Sequence, residues 1–181
     1  MLQKANLMIT GLPGCGKSTV VNRIINLAKE QGIRVGGIST PEFRISNGRR
    51  GGFHIRDVAS GTEEIMASVD SKSSTKIGRY GVNLDAVQRV GVTAISSAII
   101  TADLIIIDEI GKMELTVPEF SQSVTAALNS SKPVLGTLGM KLRTPFVNTL
   151  KRRHDVKVLT LTPAARRAVY KQVCIHLGLK E

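Results

Sequence analysis

The sequence predicts one α/β domain over residues 1–181: a mostly parallel β-sheet flanked by helices, with an antiparallel β-element added between residues 33 and 79. Three observations predict it. Short apolar runs alternate with segments of helical spacing, which favours parallel strands joined by helical crossovers. A glycine-rich stretch, GLPGCGKS at 11–18, separates the first such run from the first helical segment. A later run, LIIIDE at 104–109, is fit for a buried strand yet ends in two adjacent carboxylates, Asp108 and Glu109.

Residues 7–10 (LMIT) read as a short apolar strand. From 17 to 31 the side chains of Val20, Val21, Ile24, Leu27 and Ala28 recur at helical spacing, and Gly32 closes that helix. The section 33–79 differs in texture, with β-like pieces (RVGGIST, GFHIRDVA) set between turn residues such as NGRRGG, and reads as antiparallel hairpins. A helical region follows over 84–100, broken near Gly91. The pattern then becomes regular: strand 104–108, helix 118–128, strand 133–138, helix near 144–152, strand 156–161 and a last helix 163–177. Pro118 and Pro163 stand in first turns, where proline is tolerated, and Thr162 is a candidate N-cap.

Composition narrows the function. Apolar residues make up 42% and charged residues 22%, ordinary values for a soluble globular protein. The longest apolar region, VTAISSAIITADLIII, is interrupted by Asp103 and several hydroxyls, which argues against a membrane span. The N-terminus lacks the features of a signal peptide, so a cytoplasmic chain is expected; a monomer is expected as well. Cys15 and Cys174 have no metal-ligand spacing and are expected to stay unlinked. His54, His154 and His176 are scattered and pair with no other ligand at motif spacing. The net charge is +11, and residues 141–181 hold ten basic side chains against Asp155 and Glu181. Such a field attracts polyanions, but a triphosphate is itself one. The 3% aromatic content gives nucleic-acid bases little to stack on, so a nucleic-acid partner is not favoured.

Residues 11–18 match G-x-x-x-x-G-K-[ST], with a strand before and a helix after, as a phosphate-binding loop requires. Gly11, Gly14 and Gly16 let the backbone wrap an anion closely, and amide N–H groups at the helix start point at it. Lys17 is expected to bridge the β- and γ-phosphates, Ser18 to ligate Mg²⁺ and Thr19 to contact the α-phosphate. Leu12, Pro13 and Cys15 complete the nucleotide-binding segment. Asp108 is expected to hold the same metal from the tip of a strand lying beside the loop. A second carboxylate directly after it, Glu109, suits orienting or deprotonating the attacking water. Lys17 and Glu109 are therefore the candidate catalytic residues, and Ser18 and Asp108 the candidate metal ligands.

The stretches GLPGCGKST (11–19), TPEFR (40–44), GFHIRDVASG (52–61), GRYGVNLDAV (78–87), DEIGKMEL (108–115) and DVKVLTLT (155–162) occur in the order seen in one family. Through them the chain resembles the nucleoside-triphosphatases of the cancer-related type, also found in thermophilic prokaryotes. That resemblance implies a P-loop NTPase fold of the RecA-like branch with extra β-strands. It implies Mg²⁺-dependent hydrolysis of several triphosphates, ATP, GTP, CTP and UTP among them, to diphosphates with low base selectivity. It also implies a second nucleotide-binding segment at Ile107, Asp108, Glu109, Ile110, Gly111, Lys112, Met113 and Glu114.

Arg44 and Lys112 are further candidates for phosphate contact, with surface charge the more ordinary role. Tyr80 and Asn83 read as a fold-supporting turn and helix start. The chain departs from many relatives at GTLGMKLRTP (136–145) and at Ala165-Arg166, where an Asn-Arg pair is common, so no role is carried over from that end. A cation on the transition-state charge is worth about 10³–10⁵ in rate, and Arg143, Arg152 and Arg153 are candidates for it. Two alternatives stay open: a nucleotide or polynucleotide kinase whose lid is 141–153, and a nucleic-acid-stimulated ATPase using the basic tail.

Overall fold

The computed structural model describes residues 2–46 and 48–180. Strand β1 (Asn6–Gly11) leads through the glycine loop into α1 (Lys17–Glu30). Then come β2 (Val35–Ser39), β3 (Glu42–Arg44), β4 (Arg50–Asp57), β5 (Glu63–Ser68), β6 (Lys76–Ile77) and β7 (Tyr80–Val82). Helices α2 (Leu84–Ala86) and α3 (Thr93–Thr101) are joined by a π-helical turn, Val87–Val92. Next follow β8 (Leu104–Ile110), α4 (Pro118–Asn129), β9 (Val134–Gly139), α5 (Pro145–Arg152), β10 (Val156–Thr160) and α6 (Arg166–Leu177).

The strands form one continuous sheet in the order β10-β1-β9-β8-β2-β4-β5-β7-β6, with β3 paired to β4. From β10 to β2 every pairing is parallel, and beyond β2 every pairing is antiparallel. Alternation along the strands supplies both faces. In β1, Leu7 and Ile9 pack towards α1 and α6, whereas Met8 packs with α3, α4 and α5. In β8, Leu104 and Ile106 take the first side, and Ile105 and Ile107 the second. A strand buried on both faces must read as a continuous apolar run, which is why LIIID is recognisable.

Two expectations are corrected. Residues 33–79 are not wholly antiparallel, because β2 belongs to the parallel sheet beside β8. Its glycines look like turn residues but are packing residues: a Cβ on Gly36 would stand 2.9 Å from the Ala98 Cβ of α3. The antiparallel element starts at β3 and continues through β7, and the turn signal NGRRGG begins at Asn47, outside the described residues. The helical region does not break at Gly91, since the backbone runs through it as the π-helical turn. The strand bearing Asp108 is not paired with β1, because β9 intervenes between them, but its tip does lie beside the glycine loop, as expected, with Lys17 Nζ 4.0 Å from Glu109 Oε2.

Other expectations hold. The Asn83 side chain caps α2, its Oδ1 accepting from Ala86 N–H at 3.1 Å. Tyr80 packs edge-on against Phe53, so GRYGVNLD builds the fold. Thr162 Oγ1 accepts from Ala165 N–H at 3.3 Å, capping a 3₁₀ turn, Pro163–Ala165, that leads into α6. Cys15 and Cys174 are buried and not linked to each other. Among the described residues no helix is long and apolar enough to cross a membrane.

Candidate active site

The loop between β1 and α1 closes on itself, with Cys15 N–H donating to the Leu12 carbonyl at 3.2 Å. Gly14 and Gly16 take positive φ angles of 75° and 101°. At Gly16 space matters as well, since a Cβ would meet Arg166 Nε at 2.6 Å. Leu12, Pro13, Gly14, Ser18 and Thr19 are exposed around the opening, whereas Gly11, Cys15 and Lys17 are buried. The chain thus presents backbone and hydroxyls to a ligand while its anchor points sit in the core.

Lys17 is only 8% exposed. Its Nζ donates to the Gly11 carbonyl at 3.3 Å and stands 4.0 Å from Glu109 Oε2. The fold therefore brings the loop's cation to the second carboxylate of β8, ninety-two positions along the chain. Asp108 is 3% exposed and accepts from the Thr137 hydroxyl at 2.6 Å. The Ser18 hydroxyl stands near the same carboxylate and favours its ionised form. Burial pushes the Asp108 carboxyl above its ordinary range, opposed by these two hydroxyls and by Lys17. Half-buried Glu109 is also pushed up by burial, with Lys17 opposing and the Asp108 charge adding to it. Glu114 is fully enclosed. Burial pushes its carboxyl up to about 8, the backbone N–H groups of Glu114 and Gly111 oppose this, and the Glu109 and Asp108 charges reinforce it.

The other residues expected in the second segment divide sharply. Ile107 and Ile110 are sealed in the core and hold the strand. Gly111 is buried, Lys112 is exposed, and Met113 packs partly on the core. Arg44 is engaged elsewhere, donating to Glu42 at 3.0 Å and to the Gly48 carbonyl at 2.8 Å. Arg153 is held by Asp155 at 2.8 Å and by Asn129. Arg143 and Arg152 line a pocket behind the loop.

Two site residues escaped the sequence reading. Thr137 is the lone hydroxyl in VLGTLG, and its place at a strand tip was the available signal. Arg166, the arginine of Ala165-Arg166, was given no role in the sequence reading: its Nε donates to the Cys15 carbonyl at 2.8 Å across 151 positions, clamping the loop.

A glycine loop on a strand-to-helix turn, with a carboxylate strand tip one strand removed, defines a P-loop nucleotide-binding protein. A sequence model of the NTPase family matches residues 6–174, and the chain belongs to that family of hydrolases. It is 40% identical over 172 residues to the nucleoside-triphosphatase THEP1 of Methanothermobacter thermautotrophicus, covering 95% of each chain. Against the protein of the same name from Methanosarcina acetivorans it is 42% identical, covering 83% of this chain and 85% of the other. The crystal structure of THEP1 from Aquifex aeolicus superposes with a TM-score of 0.83 at 30% identity, covering 95% of this chain and 98% of that one. The solution structure of a human cancer-related nucleoside triphosphatase superposes at 0.78 with 29% identity, covering 94% and 96%.

Proposed function

We propose that this chain hydrolyses nucleoside 5′-triphosphates to diphosphate and phosphate, with Mg²⁺ as cofactor and little selectivity among bases. The observation that carries this is Lys17 Nζ at 4.0 Å from the Glu109 carboxylate, beside a buried Asp108. The residues suit a hard divalent ion. Asp108 and Ser18 are neighbouring oxygen donors, and no cluster of three His, Cys, Asp or Glu among the described residues forms an all-protein cage. Mg²⁺ takes one or two protein oxygens and leaves the rest of its shell to phosphates and water. When bound, the ion would neutralise charge on the phosphate oxygens.

The chain's own groups do the remainder. Lys17 and the loop amides bind the phosphates and stabilise charge as it moves towards the leaving diphosphate. Glu109 takes a proton from water as the water oxygen bonds to the γ-phosphorus. The bond from that phosphorus to the β–γ bridging oxygen then breaks, releasing the diphosphate. Burial strengthens Glu109 as a base, and Lys17 keeps it ionised. Thr137 fixes the Asp108 carboxylate, and Arg166 fixes the loop. Low base selectivity follows from a site built of phosphate contacts, with no Asn-Lys-x-Asp base-reading motif in the chain.

The test is phosphate release from ATP, GTP, CTP and UTP with Mg²⁺. Wild type is expected to hydrolyse several of them. Lys17→Ala should lose nucleotide binding, and Glu109→Gln should keep binding while losing about 10²–10⁴-fold in turnover. A wild type that binds nucleotide but releases phosphate only when an alcohol acceptor or nucleic acid is added sinks the proposal in favour of a kinase or a stimulated ATPase.

A further inference from the structure

A pocket of about 400 Å³ opens behind the phosphate loop, at the β10 edge of the sheet. Its floor is formed by Thr10, Thr160 and Val158, Thr10 and Thr160 being register partners across β1 and β10. Thr10 follows Met8 on the face that packs with α5, whereas Leu7 and Ile9 face α1. The pocket therefore lies on the side of the sheet away from the helix that carries Lys17.

Two independent observations mark it as a ligand site. Thr10 is only 7% exposed, and its Oγ1 is buried without a hydrogen-bond partner. Buried hydroxyls are rarely left so, and this one lines the pocket. The walls are cationic. Asn148, Lys151 and Arg152 share one face of α5 at i, i+3 and i+4 spacing, and Arg143 stands opposite on the turn after β9. Arg143 is braced by the Met140 and Leu142 carbonyls at 2.9 and 3.2 Å. Among the described residues no carboxylate pairs with Arg143, Lys151 or Arg152. By contrast Arg34, Arg56, Arg89 and neighbouring Arg153 each have one within 2.8 Å. Burial and the Arg143 charge lower the proton affinity of Lys151, as expected where like charges crowd without an anion.

The geometry points to a second anion site in this pocket, taking a small phosphomonoester that carries hydroxyl groups. Arg143, Lys151 and Arg152 hold the phosphate, while Thr10, Thr160 and Asn148 bond the hydroxyls. The volume is that of a small-molecule site. No aromatic ring lines it, so it offers no platform for a base.

The test uses the full chain with its phosphate loop filled by Mg²⁺ and the β,γ-imido analogue of ATP, titrated with ribose 5-phosphate by calorimetry. Binding to the nucleotide-filled protein is expected, and tighter than that of inorganic phosphate. Lys151→Gln should weaken it at least tenfold while triphosphate hydrolysis persists, and Arg152→Gln should weaken it by a similar factor. Thr10→Val, which keeps the shape without the hydroxyl, should weaken it several-fold. Failure of ribose 5-phosphate to bind, or unchanged affinity in all three variants, overturns the site. Equal affinity for inorganic phosphate overturns the hydroxyl-bearing ligand. Loss of hydrolysis in Lys151→Gln would return the pocket to the triphosphate's own site. Salt-dependent displacement of ribose 5-phosphate by an oligonucleotide would reassign the pocket to a nucleic-acid backbone. Because the readout is binding, the result does not depend on whether the chain turns over its nucleotide.

Discussion

Asp108 sits where a carboxylate has no business being cheap: 3% exposed, at the end of an aliphatic strand. What makes it tolerable is a set of local donors, the Thr137 hydroxyl above all. Thr137→Val keeps the shape and removes that donor. Partners that orient a metal ligand typically matter by about 10–100-fold in metal affinity, so Mg²⁺ activation of Thr137→Val should require correspondingly more metal. Glu114 poses a different case. Its folded carboxyl titrates at about 8, against an ordinary 4.5. Between those values the folded chain binds a proton that the unfolded chain has released. Stability from this group is therefore complete below the ordinary glutamate range and lost as pH rises towards 8. Asp108 and Glu109 are shifted the same way. Thermal unfolding followed from pH 5 to 8 should show the Tm of wild type falling more steeply than that of Glu114→Gln, which cannot ionise.

At the scale of elements, the helical region from Leu84 to Thr101 shows how packing overrides local signals. Gly91 looks like a breaker, yet it is buried where the π-helical turn leading into α3 packs on β4. A Cβ there would stand 2.7 Å from the Ile55 Cδ1, and Ile55 is itself fully buried. Gly91→Ala gains about 1 kcal/mol of helix propensity and incurs about 1–3 kcal/mol of overpacking. A net loss of stability is expected in urea unfolding, with unchanged stability the contrary result. Asn83→Ala removes the cap of the same helix and should cost about 1 kcal/mol. The cap was legible because Asn before a helical pattern has one local use. The role of Gly91 was not, since its constraint comes from a strand 36 positions away.

At the scale of the molecule, one core runs from the antiparallel extension, through Ile55 and Met66, to α5 at the other end, through Val147 and Leu150. Phe120, fully buried, lies within it. We expect the two halves to unfold together, with circular dichroism and a probe placed on β5 giving coincident transitions. Phe120→Ala should shift the whole transition by about 3–5 kcal/mol, and separate shifts of the two probes would reveal independent halves. The charge excess of +11 is also a whole-molecule property. Only the folding of α5 against β1 and β10 gathers part of it around a pocket.

The sequence by itself determined the alternation of strands and helices, the phosphate loop and the paired carboxylates. Each of these is written in contiguous residues, so covalent spacing alone carries the chemistry. Only the tertiary structure decided that β9 separates β1 from β8, that the Thr137 hydroxyl attends Asp108, and that Arg166 clamps the loop. It also decided that Arg44 and Arg153 are engaged away from the site. The Thr137–Asp108 and Arg166–Cys15 contacts join residues 29 and 151 positions apart. Strand order and register bring them together, and no local spacing encodes either.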